Sequence, residues 1–269
     1  MKLDRNFYVR DGLTVARELI GKKLIHLASE GTTGGIIVEA EAYMGAIDAA
    51  AYLIYGRHIC FNVTANVVDV SEASDMKLDR NFYVRDGLTV ARELIGKKLI
   101  HRASEGTTGG IIVEAEAYMG AIDAAAHSFK GRTKRTEIQY ADGGRAYIYL
   151  IYGMHICFNV TANVVDVPEA VLIRALEPID GIDLMRRRRN KKSLEDLCNG
   201  PGKLTQAMGI TIAHYGVDLC GDELFIETTD LNVAIDSARR INVDYAGAAA
   251  NFPWRFLLRD NKFISAPIS

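Results

Sequence analysis

Short strands and short helices that follow one another without regular βαβ alternation predict an α+β fold. No GxGxxG or Walker loop is present, so a nucleotide cofactor is not implied. A long internal repeat completes the prediction. Residues 1–51 recur as 76–126 with Leu27 against Arg102 as the one difference, and 52–70 recur as 149–167 with Arg57 against Met154. Solenoids need several stacked units. Here one complete module, 76–269, follows a partial duplicate, 1–75, that has no counterpart of 127–148 or of the residues after 170. A fragment of that size, without the later strands, buries a poor core alone. The expected architecture is therefore a single-domain mixed sheet with short helices, preceded by an incomplete copy that is no independent domain.

The elements of the module follow in order. Asp86-Gly87-Leu88-Thr89 opens a helix with Leu88, Ala91, Leu94 and Ile95 on one face, and Gly96 ends it. Lys98 to Arg102 reads as a strand. Gly109-Gly110 punctuates, and Ile111 to Tyr118 is the next strand. Asp123 to His127 reads as a short helical turn, and Lys130 to Gly144 as a polar loop. Tyr147 to Val160 is a β-hairpin with Gly153 at its turn; Ala170 to Leu176 is an apolar strand stopped by Pro178. Helices are expected over Ile182–Arg189, Leu194–Cys198 and, after the Gly200-Pro201-Gly202 break, Leu204–Met208. Leu224–Glu227, Ile241–Tyr245 and Phe256–Arg259 read as late strands.

Composition bounds the function. With 49 % apolar and 25 % charged residues, and 32 basic against 34 acidic, the chain is neither a disordered tail, a collagen-like rod nor a coiled coil. Residues 1–75 carry 7 basic and 10 acidic side chains, the rest 25 and 24, so the module is weakly basic and the duplicate masks it. Cys60, Cys157, Cys198 and Cys220 are too few for a disulfide scaffold, and no CxxC or Cys/His cluster suggests a metal. Reduced thiols and the lack of a signal-like start point to the cytoplasm. Ala146 to Val165 is uncharged, but its alternating aromatics and polar His155, Asn159 and Thr161 suit a hairpin and no membrane span.

Several constellations carry chemistry. Val113-Glu114-Ala115-Glu116-Ala117-Tyr118 alternates with period two, placing Glu114, Glu116 and Tyr118 on one face and Val113, Ala115 and Ala117 on the other. On pattern alone this is a half-buried strand with a wet acidic face; the sharper reading is a carboxylate held rigidly for base work. Tyr147, Tyr149, Tyr152 and His155 crowd one hairpin. Alternate aromatics usually pack across strands, but Tyr152 sits beside the turn glycine, where a ring suits a wedge between bases. His127 follows an apolar turn and reads first as a structural histidine. The basic runs Lys130–Arg135 and Arg186–Lys192 are usually solvated faces. Two of them beside Tyr-rich turns favour a phosphate backbone as partner.

Read in series, these segments resemble the alkyladenine (3-methyladenine) DNA glycosylase family. The resemblance rests on Glu114 to Gly120, Asp123 to Ser128, Gly131 to Arg135, Tyr147 to His155 with Asn159, Val171 to Pro178, and Asn199 to Leu204. It runs from about residue 78 to 265, in the family's order. It implies a monofunctional glycosylase of base excision repair, without metal or other cofactor. Double-stranded DNA bearing alkylated purines is the implied partner. From the repeat itself, a monomer that can associate or swap through the duplicate is expected. Glu116 falls on the general base that activates water, Arg174 on a side chain that holds that water, and Ile241 where a backbone carbonyl contributes. Tyr118, His127 and Tyr149 fall on the walls of the base pocket, and Asn159 on the side chain that excludes purine substituents. Tyr152 falls on the residue that replaces the flipped nucleotide, with Met154 beside it. The basic loop of Arg132, Lys134 and Arg135 is assigned to the DNA backbone. Glu114 could be a second acid, though the family gives it no such role. Gln139-Tyr140 and Ala249 depart from the family's usual Met-Phe and Trp.

Three readings compete: a glycosylase, a damaged-DNA-binding protein whose catalysis is impaired, and a recombined chain without a unique fold. Intact Glu116, Arg174 and Tyr152 favour the first.

Overall fold

The computed structural model describes residues 15, 18–19, 22–28, 31–42, 61–68, 76–151 and 153–267. The chain divides into two compact units, Met1–Ala73 and Ser74–Ser269. In the first, β1 (Lys23–Ala28), β2 (Gly31–Ala42) and β3 (Phe61–Val68) form an antiparallel sheet in that order. Glu41 pairs directly with Asn62 across β2 and β3.

The second unit begins with α1 (Arg80–Tyr83) and α2 (Gly87–Leu94). Asp86 caps α2 by accepting from the Thr89 N–H, and the backbone turns away at Gly96, whose φ of 87° suits a residue without Cβ. Ala91, Leu94 and Ile95 of the expected face are buried, Leu88 is half-buried, and Val90, not expected there, is buried with them. Next come β4 (Lys98–Ala103), β5 (Gly106–Tyr118), β6 (Ala146–Ile151), β7 (His155–Ala162) and β8 (Glu169–Asp180). Three helices follow, α3 (Ile182–Arg189), α4 (Glu195–Cys198) and α5 (Pro201–Met208). The chain closes with β9 (Leu224–Glu227), β10 (Ile235–Ala238) and β11 (Arg255–Leu258). This is a mixture of helices and an antiparallel sheet, as the α+β prediction requires. Among the described residues no helix is long and apolar enough to cross a membrane.

The sheet runs β10-β11-β5-β8-β7-β6, and β4 also pairs with β5 and with β9. β5 is its spine. One edge is shared by β4, over 106–111, and by β11, over 114–116, while β8 takes the other edge.

Four local expectations are corrected. β5 does not start after Gly109-Gly110 but runs through them. A Cβ on Gly110 would stand 2.7 Å from the Glu177 carbonyl oxygen, so these glycines admit a close neighbouring strand and do not break the ladder. β8 likewise runs through Pro178. β7 pairs with β8 only over 169–172, so past that point β8 has a free edge where the missing N–H is tolerated. Asp123 to His127 forms turns after a 3-10 turn over Gly120–Ile122. Ile241–Tyr245 is no strand: a 3-10 turn occupies Asp244–Asn251, and the extra late strand is β10.

The larger correction concerns the acidic face. Ile112, Ala115 and Ala117 pack into the main core with Val90, Leu94 and Ile173. Val113 packs elsewhere, with Ile111, Ala175 and Phe263. The β5–β8 ladder is irregular on both sides of Glu114, although its register is the same before and after. Such a bulge re-aims side chains. Here it sets Val113, Glu114 and Glu116 against one layer and Ala115 and Ala117 against the other. That face is not wet: Glu114 and Glu116 are both completely enclosed.

Candidate active site

Strand register builds the site. Directly opposed residues of antiparallel strands share a face. Arg255 of β11, Glu116 of β5, Leu172 of β8, Asn159 of β7 and Tyr147 of β6 therefore form one row across five strands. Tyr149 and Cys157 pair in the adjoining row. Residues scattered over about two-thirds of the module, from Tyr118 to Tyr245, thus line one pocket of about 580 Å³. Tyr118, His127, Tyr149, Asn159, Arg174 and Ile241 all border it. Its far side is Arg189 of α3 and the first turn of α5, Pro201 to Lys203.

Glu116 does not itself line the pocket, but the three residues that hold its carboxylate, Tyr118, Arg174 and Ile241, do. One carboxylate oxygen accepts the Ile241 N–H at 2.8 Å and faces Arg174 Nη1 at 3.4 Å. The other accepts the Tyr118 hydroxyl at 2.9 Å. Burial, then the neighbouring Glu116 charge, raises the Tyr118 pKa well above that of an ordinary phenol, so Tyr118 remains a donor. These donors balance a buried anion that would otherwise be expensive. Ile241 meets Glu116 through its backbone N–H.

Glu114 has a different task from Glu116. It accepts from Arg174 Nε at 3.0 Å and from both the backbone N–H and the hydroxyl of Ser265, at 2.5 and 2.9 Å. Arg255 Nε stands 3.4 Å away. Burial opposes the Arg174 charge, but Glu116 and Glu114 outweigh it and hold the guanidinium above its usual pKa. Glu114 is thus spent on anchoring Arg174 and has no free oxygen for acid catalysis. Sequence reading missed Ser265 and Arg255, and no local pattern marks either.

Arg240 braces the Ile241 side. Its guanidinium meets both oxygens of Asp123, at 2.5 and 2.8 Å, and the carbonyl oxygens of Ala117 and Ala249. It also lies 4.8 Å from the Tyr118 ring centre and 5.1 Å from that of Trp254. One buried ion pair therefore fixes the residue before Ile241 and one face of Tyr118.

The opposite wall is aromatic. The His127 and Tyr149 rings meet edge to face at 4.6 Å, and Tyr147 lies 5.4 Å from Tyr149. Asn159 is buried and donates from Nδ2 to the Tyr147 carbonyl at 3.0 Å, which fixes its side chain. His127 Nδ1 is 2.8 Å from the Tyr147 hydroxyl, and Arg135 approaches Nε2 at 3.3 Å. Arg135 can only donate, so Nε2 accepts and Nδ1–H donates to Tyr147. Burial of the ring, then the Arg135 charge, depresses the His127 pKa to about 4.

That shift makes a prediction. The neutral ring fits the folded protein, and an unfolded histidine titrates near 6.5. His127 therefore supports the fold fully above about 6.5, and this support is lost as the pH falls through about 4. In an NMR titration its ring signals should move with a midpoint near 4. A midpoint near 6.5 would show that Arg135 and the aromatic wall do not act on it.

The remaining predicted residues separate. Arg135 lies 4.9 Å over Tyr149 and so belongs to the pocket wall. Arg132 pairs with Asp166 at 2.5 Å and stacks on Tyr140 at 4.3 Å; Lys134 is exposed. Met154 is 75 % exposed beyond the turn at Gly153, next to Leu150 and Ile151, which are also exposed. Tyr152 lies outside the described residues. Gln139 is buried at the pocket edge.

Comparison with known proteins decides the family. The family model described as methylpurine-DNA glycosylase (MPG) matches residues 6–52 and 81–262. The chain belongs to the methylpurine-DNA glycosylase family. It is a DNA glycosylase, with DNA as substrate. Similar curated proteins carry the name "Putative 3-methyladenine DNA glycosylase". The one from Alkaliphilus oremlandii is 48 % identical over 200 residues, 71 % of this chain and 99 % of its own length. One from Clostridium perfringens is 46 % identical over 203 residues, covering 71 % and 99 %. One from Desulfitobacterium hafniense is 45 % identical over 199 residues, covering 70 % and 98 %. The glycosylase therefore spans nearly the full length of these relatives and carries additional sequence besides.

Proposed function

We propose that residues 76–269 hydrolyse the N-glycosidic bond of alkylated purines in duplex DNA, leaving an abasic site. The enclosed Glu116 carboxylate, oriented by Ile241 N–H, the Tyr118 hydroxyl and Arg174, three residues that line an aromatic-walled pocket, carries this reading. The chemistry needs a base out of its stack, because the bond cannot be reached inside a duplex. Unstacking costs a few kcal/mol, least for a damaged base. Tyr152 and Met154, which lie between β6 and β7 in the chain, fill the space the base leaves.

In the pocket the base lies between Tyr118 on one side and the His127–Tyr149 wall on the other, and Asn159 limits which purine substituents fit. The bond from the sugar carbon to the base nitrogen breaks with its electron pair going to the base. An N-alkylated base is already cationic, so it departs neutral without a protein acid. The sugar passes through an oxocarbenium-like state that the Glu116 charge stabilises. Glu116 takes a proton from the attacking water, which Arg174 orients. Water, and no lysine, is the nucleophile: Lys203 borders the pocket, but its ammonium is held by Asn199 at the exposed rim, 2.9 Å away.

The first unit has Glu41 where the second has Glu116, but β3, the copy of β7, lies directly beside β2. The place that β8 fills beside β5 is thus taken, and no counterpart of Arg174 or His127 exists in residues 1–75. Full-length protein incubated with alkylated duplex should therefore produce heat-labile abasic sites, and Glu41→Gln should do so at the same rate. A shifted duplex without abasic sites would favour the binding-protein reading. A slowed Glu41→Gln would bring the first unit into the site.

A further inference from the structure

Away from the pocket, the chain brings together two histidines and a carboxylate separated by more than a hundred residues. His101 of β4, His214 in the 3-10 turn after α5 and Glu223 before β9 have one ligand atom each within 4.8 Å of one another. The Nε2 atoms of the histidines face each other at 3.2 Å, and Glu223 Oε1 lies 3.6 Å from His214 Nε2. Sequence reading found no metal motif because His101 lies far in the chain from His214 and Glu223. β4–β9 pairing creates the cluster: His101 is paired with Leu224, which places Glu223 beside it.

We propose that His101, His214 and Glu223 bind a divalent transition cation, with zinc the best match. Zn–N bonds are about 2.0–2.1 Å, so two imidazole nitrogens on a tetrahedral zinc stand about 3.4 Å apart. The observed 3.2 Å is already close to that edge. Glu223 supplies the third ligand from an exposed side chain that is free to adjust, and water completes the set.

The outer contacts suit the same role. His101 is buried, and its Nδ1 lies 2.7 Å from the Met208 carbonyl oxygen. That bond holds the proton on Nδ1, turns the Nε2 lone pair inward and makes the ring a better donor, as in many metal-bound histidines. His214 differs: the Thr211 N–H donates to its Nδ1 at 3.0 Å, which leaves the ring proton on Nε2, facing His101. Coordination through Nε2 moves that proton to Nδ1, where the Thr211 carbonyl and hydroxyl oxygens, both 3.2 Å away, can accept it. The ion ties β4 to the C-terminal end of α5 and to the loop before β9, on elements that do not include Glu116.

The test is a titration of metal-depleted full-length protein with Zn²⁺ alone, and with Co²⁺ read by its visible ligand-field absorption. One equivalent should bind per chain, because the first unit repeats only His26 of the three. Zn²⁺ should raise the unfolding temperature. His214→Gln and Glu223→Gln should each weaken binding at least about tenfold and remove the thermal shift, with excision of alkylated bases unchanged. Glu223 is exposed, so its variant tests the site even if a histidine variant folds poorly. Absence of a bound equivalent, or an equivalent retained by both variants, would overturn the site and leave the 3.2 Å contact as a hydrogen bond between two histidines.

Discussion

Glu116→Gln should lower the single-turnover rate of base excision by about 10²–10⁴ while leaving duplex binding intact. The amide has nearly the shape of the carboxylate. Its oxygen can still accept the Ile241 N–H, and its NH₂ can donate to the Tyr118 hydroxyl oxygen, so the local bonds survive. Two properties are lost: the proton acceptor for water and the negative charge beside the oxocarbenium-like sugar. Arg174 keeps its place because Glu114 and Ser265 still hold it. The readout is excision from a duplex with one alkylated purine, beside a gel-shift measurement of affinity. A fall of less than about threefold would remove Glu116 from the chemistry.

Asp123→Asn should destabilise the second unit by about 3–5 kcal/mol, the usual effect of removing one partner of a buried ion pair. Neither side chain of the Asp123–Arg240 pair has any exposed surface. Burial works against the Arg240 charge, and the hydrogen bond and charge of Asp123 overcome it and raise its pKa. Without the carboxylate charge, the guanidinium is buried with two carbonyl oxygens as its remaining acceptors in place of a full counter-ion. Trp254 is the chain's single tryptophan and lies against Arg240, so its fluorescence follows unfolding of this unit. The midpoint should fall by about 10 °C. Excision should fall too, since Arg240 precedes the residue whose N–H orients Glu116. A loss below about 1 kcal/mol would mean that Arg240 finds other partners and that Asp123 is not its brace.

Legibility in the sequence followed the range of the forces involved. The helix over 182–189 and the strand over 224–227 were readable to the residue, because helical periodicity, apolar runs and turn residues act over a few positions. Leu88 to Ile95 was readable for the same reason. Ile241–Tyr245 misled because alternating β-branched and aromatic residues look like a strand wherever they occur. Here Ile241 is held by its bond to Glu116, and the following segment coils into a 3-10 turn. Gly109-Gly110 and Pro178 looked like stops because their local preferences are unfavourable in strands. Close β5–β8 packing and an unpaired edge of β8 remove the objection to each.

For the candidate site, the sequence by itself determined which residue types were available. It gave the Glu116–Tyr118 pair on one strand, the aromatic hairpin, the basic loop, and a duplicate that stops before Arg174. The resemblance of those segments to a family supplied their expected roles, and the comparisons established that family. What only the tertiary structure decided is which groups meet. Alternation alone made Glu114 and Glu116 equivalent residues on a wet face. The irregular ladder around Glu114 and the C-terminal segment over it made both buried, gave Glu114 to Arg174 and Ser265, and left Glu116 to three residues that line the pocket. The Asp123–Arg240 brace and the His101–His214 contact arise the same way, between residues 117 and 113 positions apart. The reason is physical. Local preference acts through neighbours in the chain, whereas the choice among possible partners for a buried charge is made by strand register and exclusion of water, which exist only once the sheet has closed.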